Sequence, residues 1–282
     1  MKSQVYVPSI SAIGLLVIGH CISSLIQQPL NANWIALAIL TLFTGALTIR
    51  IPSVSAVLSV SETFVFAAVL LFGPCAGTIT VAIEILISFA VLGRKQRTNP
   101  QKILFNVASS AMSIWLAGHA FYYTAGIPPL AEKPAALQTL LIPLAVLSTS
   151  YFLLNSGLIA AGMALERNKP ALTIWRTNFM GLAINYFAGG SLAALFVAYT
   201  QQIDLVAISV IVPLLLVSYL TFKTSLGRIE DATKHVEQMK RLYLSTIETM
   251  ATAIDAKDQV THGHIRRVQQ FALALAREQR GR

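Results

Sequence analysis

Long apolar blocks, each near the length that crosses a bilayer as a helix, fill most of the first 224 residues. A hydrocarbon core about 30 Å thick takes about 20 apolar residues per helix. The blocks run over 6–26, 32–49, 54–72, 75–93, 103–124, 138–164, 179–199 and 204–224. Gln27-Gln28-Pro29 ends the first, Arg50-Ile51-Pro52 ends the second, and Gly73-Pro74 joins the third and fourth into a tight hairpin. In lipid a backbone must satisfy its own hydrogen bonds, so only helices or a closed barrel can span. These runs are too long and continuous for barrel strands. The expected fold class is therefore all-α, with a polytopic membrane bundle of about eight transmembrane helices over residues 1–224. Charge supports this: 12% of the 282 residues are charged, against roughly 25% in soluble domains, too few to solvate a surface of this size. The first block is long for a signal peptide and has no small-x-small cleavage site.

The net charge of +9 reads as topology rather than as nucleic-acid binding. With the N-terminus inside, Lys2, Arg50, Arg94, Lys95, Arg97, Lys102, Arg167, Lys169, Arg176, Lys223 and Arg228 fall in inner loops, and Lys133 alone falls outside. That asymmetry places both termini in the cytoplasm. No basic groove with interleaved aromatics appears, so no nucleic-acid partner is expected. Residues 166–180 have room for a short amphipathic helix at the interface, with Trp175 at headgroup level. Two cysteines, Cys21 and Cys75, make no metal or disulfide framework.

Ionisable residues in spans are expensive and so mark function. Glu62, in the third block, and Glu84, midway along the fourth, are the ligand or sensor candidates, facing one another across the hairpin. The competing reading is that they only hold helices together by hydrogen bonds, the role that better suits Asn106, Asn155 and Asn185. His119 falls near the outer interface.

Composition changes after Lys223, where charge returns. Ile229, Val236, Tyr243 and Met250 recur every seven residues, with Ala232, Met239, Thr246 and Ala253 three positions later. This a/d pattern is that of a dimerising signalling helix over 225–243; further on, a face packed on the helix's own domain suits it better. A loop over 259–263 leads to a second helix from His264, whose apolar face is Val268, Phe271, Ala272 and Leu275. Two such helices do not enclose a core.

Leu242 to Asp258, followed by Thr261-His262-Gly263-His264, Arg267-Val268 and the stretch from Ala272 to Glu278, resembles the opening of an HD-GYP domain. Val260 and Ile265 depart from it, where an aromatic and a serine are usual. The resemblance implies a bacterial all-α phosphohydrolase that opens cyclic di-GMP at a two- or three-metal centre of iron or manganese, with His264 matching a metal ligand. The other ligands, the His-Asp pair and the Gly-Tyr-Pro loop would follow Arg282. The expectation is thus a truncated HD-GYP domain over 244–282, inactive alone and binding no cofactor, with His264 an exposed helix-cap residue. Residues 1–224 resemble the MASE-like membrane sensor regions that precede HD-GYP and diguanylate cyclase domains, on the stretch from Ser61-Glu62-Thr63-Phe64-Val65-Phe66 to Gly73-Pro74. Together these imply a multi-pass sensor of the bacterial inner membrane, in contact with the lipid bilayer, an unknown small ligand and a second copy of itself. The alternative is a small-solute or ion transporter, which paired intramembrane glutamates also suit.

Overall fold

The computed structural model describes residues 2–27, 32–46, 49–50, 57–58, 61–93, 99–199, 234–254 and 264–280. The chain divides into two compact units, Met1–Thr221 and Phe222–Arg282. The first contains α1 (Lys2–Ile26), α2 (Ala32–Ala46), β1 (Ile49–Arg50), β2 (Val57–Leu58), α3 (Ser61–Phe72), α4 (Pro74–Gly93), α5 (Pro100–Ala125), α6 (Leu137–Arg167), α7 (Ala171–Asn178), a 3-10 turn (Met180–Leu182) and α8 (Ala183–Tyr199). The second contains α9 (234–254) and α10 (His264–Arg280).

Among the described residues, four helices are long and apolar enough to cross a membrane: Val5–Ile26, Pro100–Ala125, Leu137–Arg167 and Met180–Ala198. Ala32–Gly45, Ser61–Phe72 and Pro74–Phe89 are shorter apolar helices, and the block 204–224 lies outside the described residues. Against the sequence expectation of about eight spans, the described residues hold four full-length helices and three short ones. The largest difference is in the block 54–72, whose helix begins only at Ser61. Upstream, Val57–Leu58 pair antiparallel with Ile49–Arg50, Ile49 opposite Leu58. The reason is local: among the paired residues, Ile49 and Val57 are β-branched, a side-chain type that suits extended backbone, yet a hydropathy average scores them like a helix.

α3 is the core of the unit. Ser61 and every residue from Thr63 to Leu71 are buried, enclosed by α2, α4 and α8. Gly73, at φ 93°, turns the chain directly into α4, a left-handed geometry that glycine takes without penalty. The end of α3 has carbonyls that its own helix leaves unpaired, and with no water in a bilayer these need protein partners. Tyr122 of α5 donates its hydroxyl to the carbonyls of Val69 and Leu70 at 2.8 and 2.9 Å. Gly73 N–H also reaches Val69 O at 2.9 Å, and the chain after α5 adds Leu130 N–H to Leu70 O at 3.0 Å and Ala131 N–H to Leu71 O at 3.2 Å. Tyr122→Phe removes the shared hydroxyl while leaving the loop bonds. It is expected to lower stability by about 1 kcal/mol, read as a lower midpoint in thermal unfolding of the chain in nanodiscs; an unchanged midpoint would show that the loop alone suffices.

α5 explains itself in sequence. Asn99 caps it, its side chain accepting the Gln101 N–H at 3.0 Å; Pro100 takes the first helical position, and Gly126 closes the helix in the left-handed region. α5 packs on α1, α4 and α6. The amphipathic segment after α6 is helix α7, with Ile174 buried. Trp175 is tied back to α6, donating its indole N–H to Ser156 Oγ at 2.8 Å, with its ring tilted against Phe152 at 5.6 Å between centroids.

In the second unit, Thr246, Thr249 and Thr252 of α9 donate their hydroxyls to carbonyls one turn earlier. Val236, Tyr243 and Met250 are exposed on α9, and Val268, Phe271 and Leu275 on α10. Ile229 lies outside the described residues.

Candidate functional site

The first turn of α3 points two polar side chains to different neighbours. Ser61 donates its hydroxyl to Glu84 Oε1 of α4 at 2.7 Å. Glu84 can sit there because α2 presents Gly45 to it: a Cβ at position 45 would come within 2.7 Å of Glu84 Cγ and 2.8 Å of Oε1. Glu62, one residue along α3, packs on Gly189 of α8, and its carboxyl hydrogen-bonds the Asn185 side chain. Its second oxygen, Oε2, is buried and has no hydrogen-bond partner. The two carboxyls are close enough to interact through their charge.

A second polar line lies nearby. Ser110 of α5 donates to Asn155 Oδ1 at 3.0 Å, and Asn155 Nδ2 donates to the Tyr186 hydroxyl at 3.2 Å. Tyr186 and Tyr151 lie ring to ring at 5.4 Å, and Tyr151 in turn packs on Phe66 of α3 at 5.5 Å. Both tyrosine hydroxyls lie within electrostatic range of Glu62 and Glu84. Six helices thus contribute to one buried cluster: α2 by an absent side chain, and α3, α4, α5, α6 and α8 by polar groups.

The chemistry available follows from the surroundings. A carboxyl in an apolar interior must carry a proton or meet a cation or hydrogen-bond donors. Glu84 has Ser61. Glu62 keeps one oxygen unmet, an uncommon state for a buried polar atom and one that a proton, a cation or a donor on a ligand would relieve.

The glutamates and two of the asparagines that the sequence singles out, Asn155 and Asn185, belong to this cluster; Asn106 does not, and lines a separate cleft beside α1. His119 is exposed and its Nδ1 lies 2.8 Å from the Trp115 carbonyl. Cys21 is buried and Cys75 half-buried, both as free thiols. His264 opens α10. No three His, Cys, Asp or Glu side chains come together to hold a metal among the described residues. Sequence reasoning passed over Ser61, Ser110, Tyr151 and Tyr186. One signal was present: Tyr151 and Asn155 stand four apart, on one face of α6.

The MASE9 family model matches residues 21–224. The chain belongs to the MASE9 family. No curated protein and no solved structure matches it. The MASE9 match makes these residues a membrane-associated sensor region. It encloses every residue of the cluster, while most of α1 and all of α9 and α10 fall outside it.

Proposed function

We propose that the MASE9 bundle is the input half of a signalling protein and that the Glu62–Glu84 cluster is where it perceives its signal, a proton, a cation or a small ligand carrying hydrogen-bond donors. The observation that carries this reading is the buried, unpartnered Oε2 of Glu62 beside a second carboxyl. Ligand capture there pulls on α3, α4 and α8 together, because each supplies a group to the cluster. The bundle occupies residues 1–224. Residues 225–243 form the relay helix, paired in a homodimer through Ile229, Val236, Tyr243 and Met250, of which the last three are exposed along α9. Residues 244–282 are the opening of an HD-GYP domain, supported by their resemblance to it, and the output is cyclic di-GMP hydrolysis. In that family the centre holds iron or manganese, and His264 stands at a ligand position. Both termini face the cytoplasm of a bacterium, with the bundle in its inner membrane, as the basic loops imply.

The test fuses residues 1–243 to a complete HD-GYP domain and follows cellular cyclic di-GMP as external pH, cations and candidate solutes are varied. The expected result is a response to one of these that Glu62→Gln abolishes while the protein stays in the membrane. A response that Glu62→Gln and Glu84→Gln leave unchanged would remove the cluster from sensing. The transporter reading draws on the same unpartnered oxygen; solute uptake into vesicles, lost in Glu62→Gln, is what it requires.

A further inference from the structure

A second feature lies away from the carboxyl cluster. The first turns of α1, the start of α5 and the end of α6 enclose a cleft of about 700 Å³, within the range of ligand sites. Its lining is amphipathic. Phe105, Ile159 and Met163 supply apolar lining, and Lys102, Glu166 and Arg167 line it about one turn nearer the ends of α5 and α6. Lys102 Nζ bonds Glu166 Oε1 at 2.8 Å, but both side chains are more than half exposed, and an ion pair so exposed contributes little and opens readily. Arg167 is exposed beside it. The α5 N-terminus offers an anion no backbone donors, since Asn99 already accepts the N–H groups of Gln101, Lys102 and Ile103. Recognition of an anion would therefore fall to the two cationic side chains.

We propose that this cleft seats one anionic phospholipid, its phosphate held by Lys102 and Arg167 and the upper part of an acyl chain laid along Phe105, Ile159 and Met163. Three observations select a lipid over other occupants. The cleft sits among the ends of membrane-crossing helices, where headgroups lie. Its charge and its apolar wall are in the order that a lipid presents phosphate and tail. The competing carboxylate, Glu166, is paired only at the exposed rim and can be displaced. The inference rests on the membrane character of the bundle and is independent of the carboxyl cluster. With the orientation proposed above, the site faces the cytoplasmic leaflet, where anionic lipids and basic side chains attract one another.

The full-length chain, purified into nanodiscs of phosphatidylcholine with and without phosphatidylglycerol, is released into the gas phase and its retained lipids are weighed. One phosphatidylglycerol per chain is expected to persist. Lys102→Gln or Arg167→Gln should weaken retention about fivefold, and the pair about thirtyfold. Glu166→Gln, which frees Lys102, should strengthen it. Because all three side chains are exposed, folding should be unaffected, and circular dichroism checks this. Met163→Gln, which removes tail contact without touching charge, should also weaken retention. Equal retention in wild type and double variant would overturn the proposal. So would a match between inorganic phosphate and phosphatidylglycerol in protecting the chain from thermal unfolding, which would make this a site for a soluble anion.

Discussion

Glu62→Leu is expected to raise the thermal stability of the bundle while abolishing its response, and Glu84→Leu to lower stability. The opposite signs come from hydrogen bonding. Removing Glu62 deletes a buried acceptor that has no partner for Oε2, relieving a desolvation penalty of about 1–3 kcal/mol; the lost contact with Asn185 offsets part of it. The net gain should be about 1 kcal/mol, and stability held down at a functional group is a familiar exchange. Removing Glu84 strands the Ser61 hydroxyl, which donates to it at 2.7 Å in a buried setting, and should lower stability by about 1 kcal/mol or more. Unfolding midpoints in nanodiscs, compared with cyclic di-GMP output of the fused domain, check both. Two variants that destabilise alike would mean that Glu62 finds its partners within the protein and is a structural residue.

Gly14→Val should prevent the bundle from folding. A Cβ at position 14 would overlap the backbone of Ala108, with the Cα and carbonyl oxygen both 2.5 Å away. Helices in lipid gain little from apolar burial against one another and depend on close backbone approach at small residues. A flexible side chain can swing aside, but backbone cannot, so α1 must part from α5 along its length. The cost should exceed the 1–3 kcal/mol of ordinary overpacking. Gly19→Val, on the same helix with nothing within 4 Å of the added carbon, is the matched control and should leave expression unchanged. The measurement is the fraction of each variant recovered monodisperse in mild detergent. Equal recovery would mean that α1 does not pack on α5 through Gly14.

Much of the bundle was legible in one dimension because a bilayer imposes one length. The blocks at 6–26, 103–124 and 138–164 correspond to α1, α5 and α6 within a few residues. The Gly73-Pro74 turn was legible because few sequences reverse a helix so sharply. The block at 54–72 misled because hydropathy cannot distinguish a valine in a helix from one in a strand pair. Glu62 and Glu84 stood out by the energetic penalty of a carboxyl in lipid. Tyr151 and Tyr186 did not, since a tyrosine in an apolar run looks like core and only the packing of α6 against α8 brings the two rings together within electrostatic range of the carboxyls. The unmet Oε2 of Glu62 could not be read at all: whether an oxygen has a partner depends on where α8 lies, which no spacing encodes.

The brevity of α3 bears on how the chain enters its membrane. Twelve residues of helix measure about 18 Å, well short of a hydrocarbon core about 30 Å thick, so α3 has no stable resting place of its own during insertion. It has to go in joined to α4 through Gly73, and its end stays open until Tyr122 and the segment after α5 arrive to close it. The last part of the bundle's centre to be secured is thus fixed by residues made some fifty positions later. The carboxyl cluster at the other end of α3 is therefore assembled only once the chain through α8 has been synthesised and packed, and a half-made bundle lacks it.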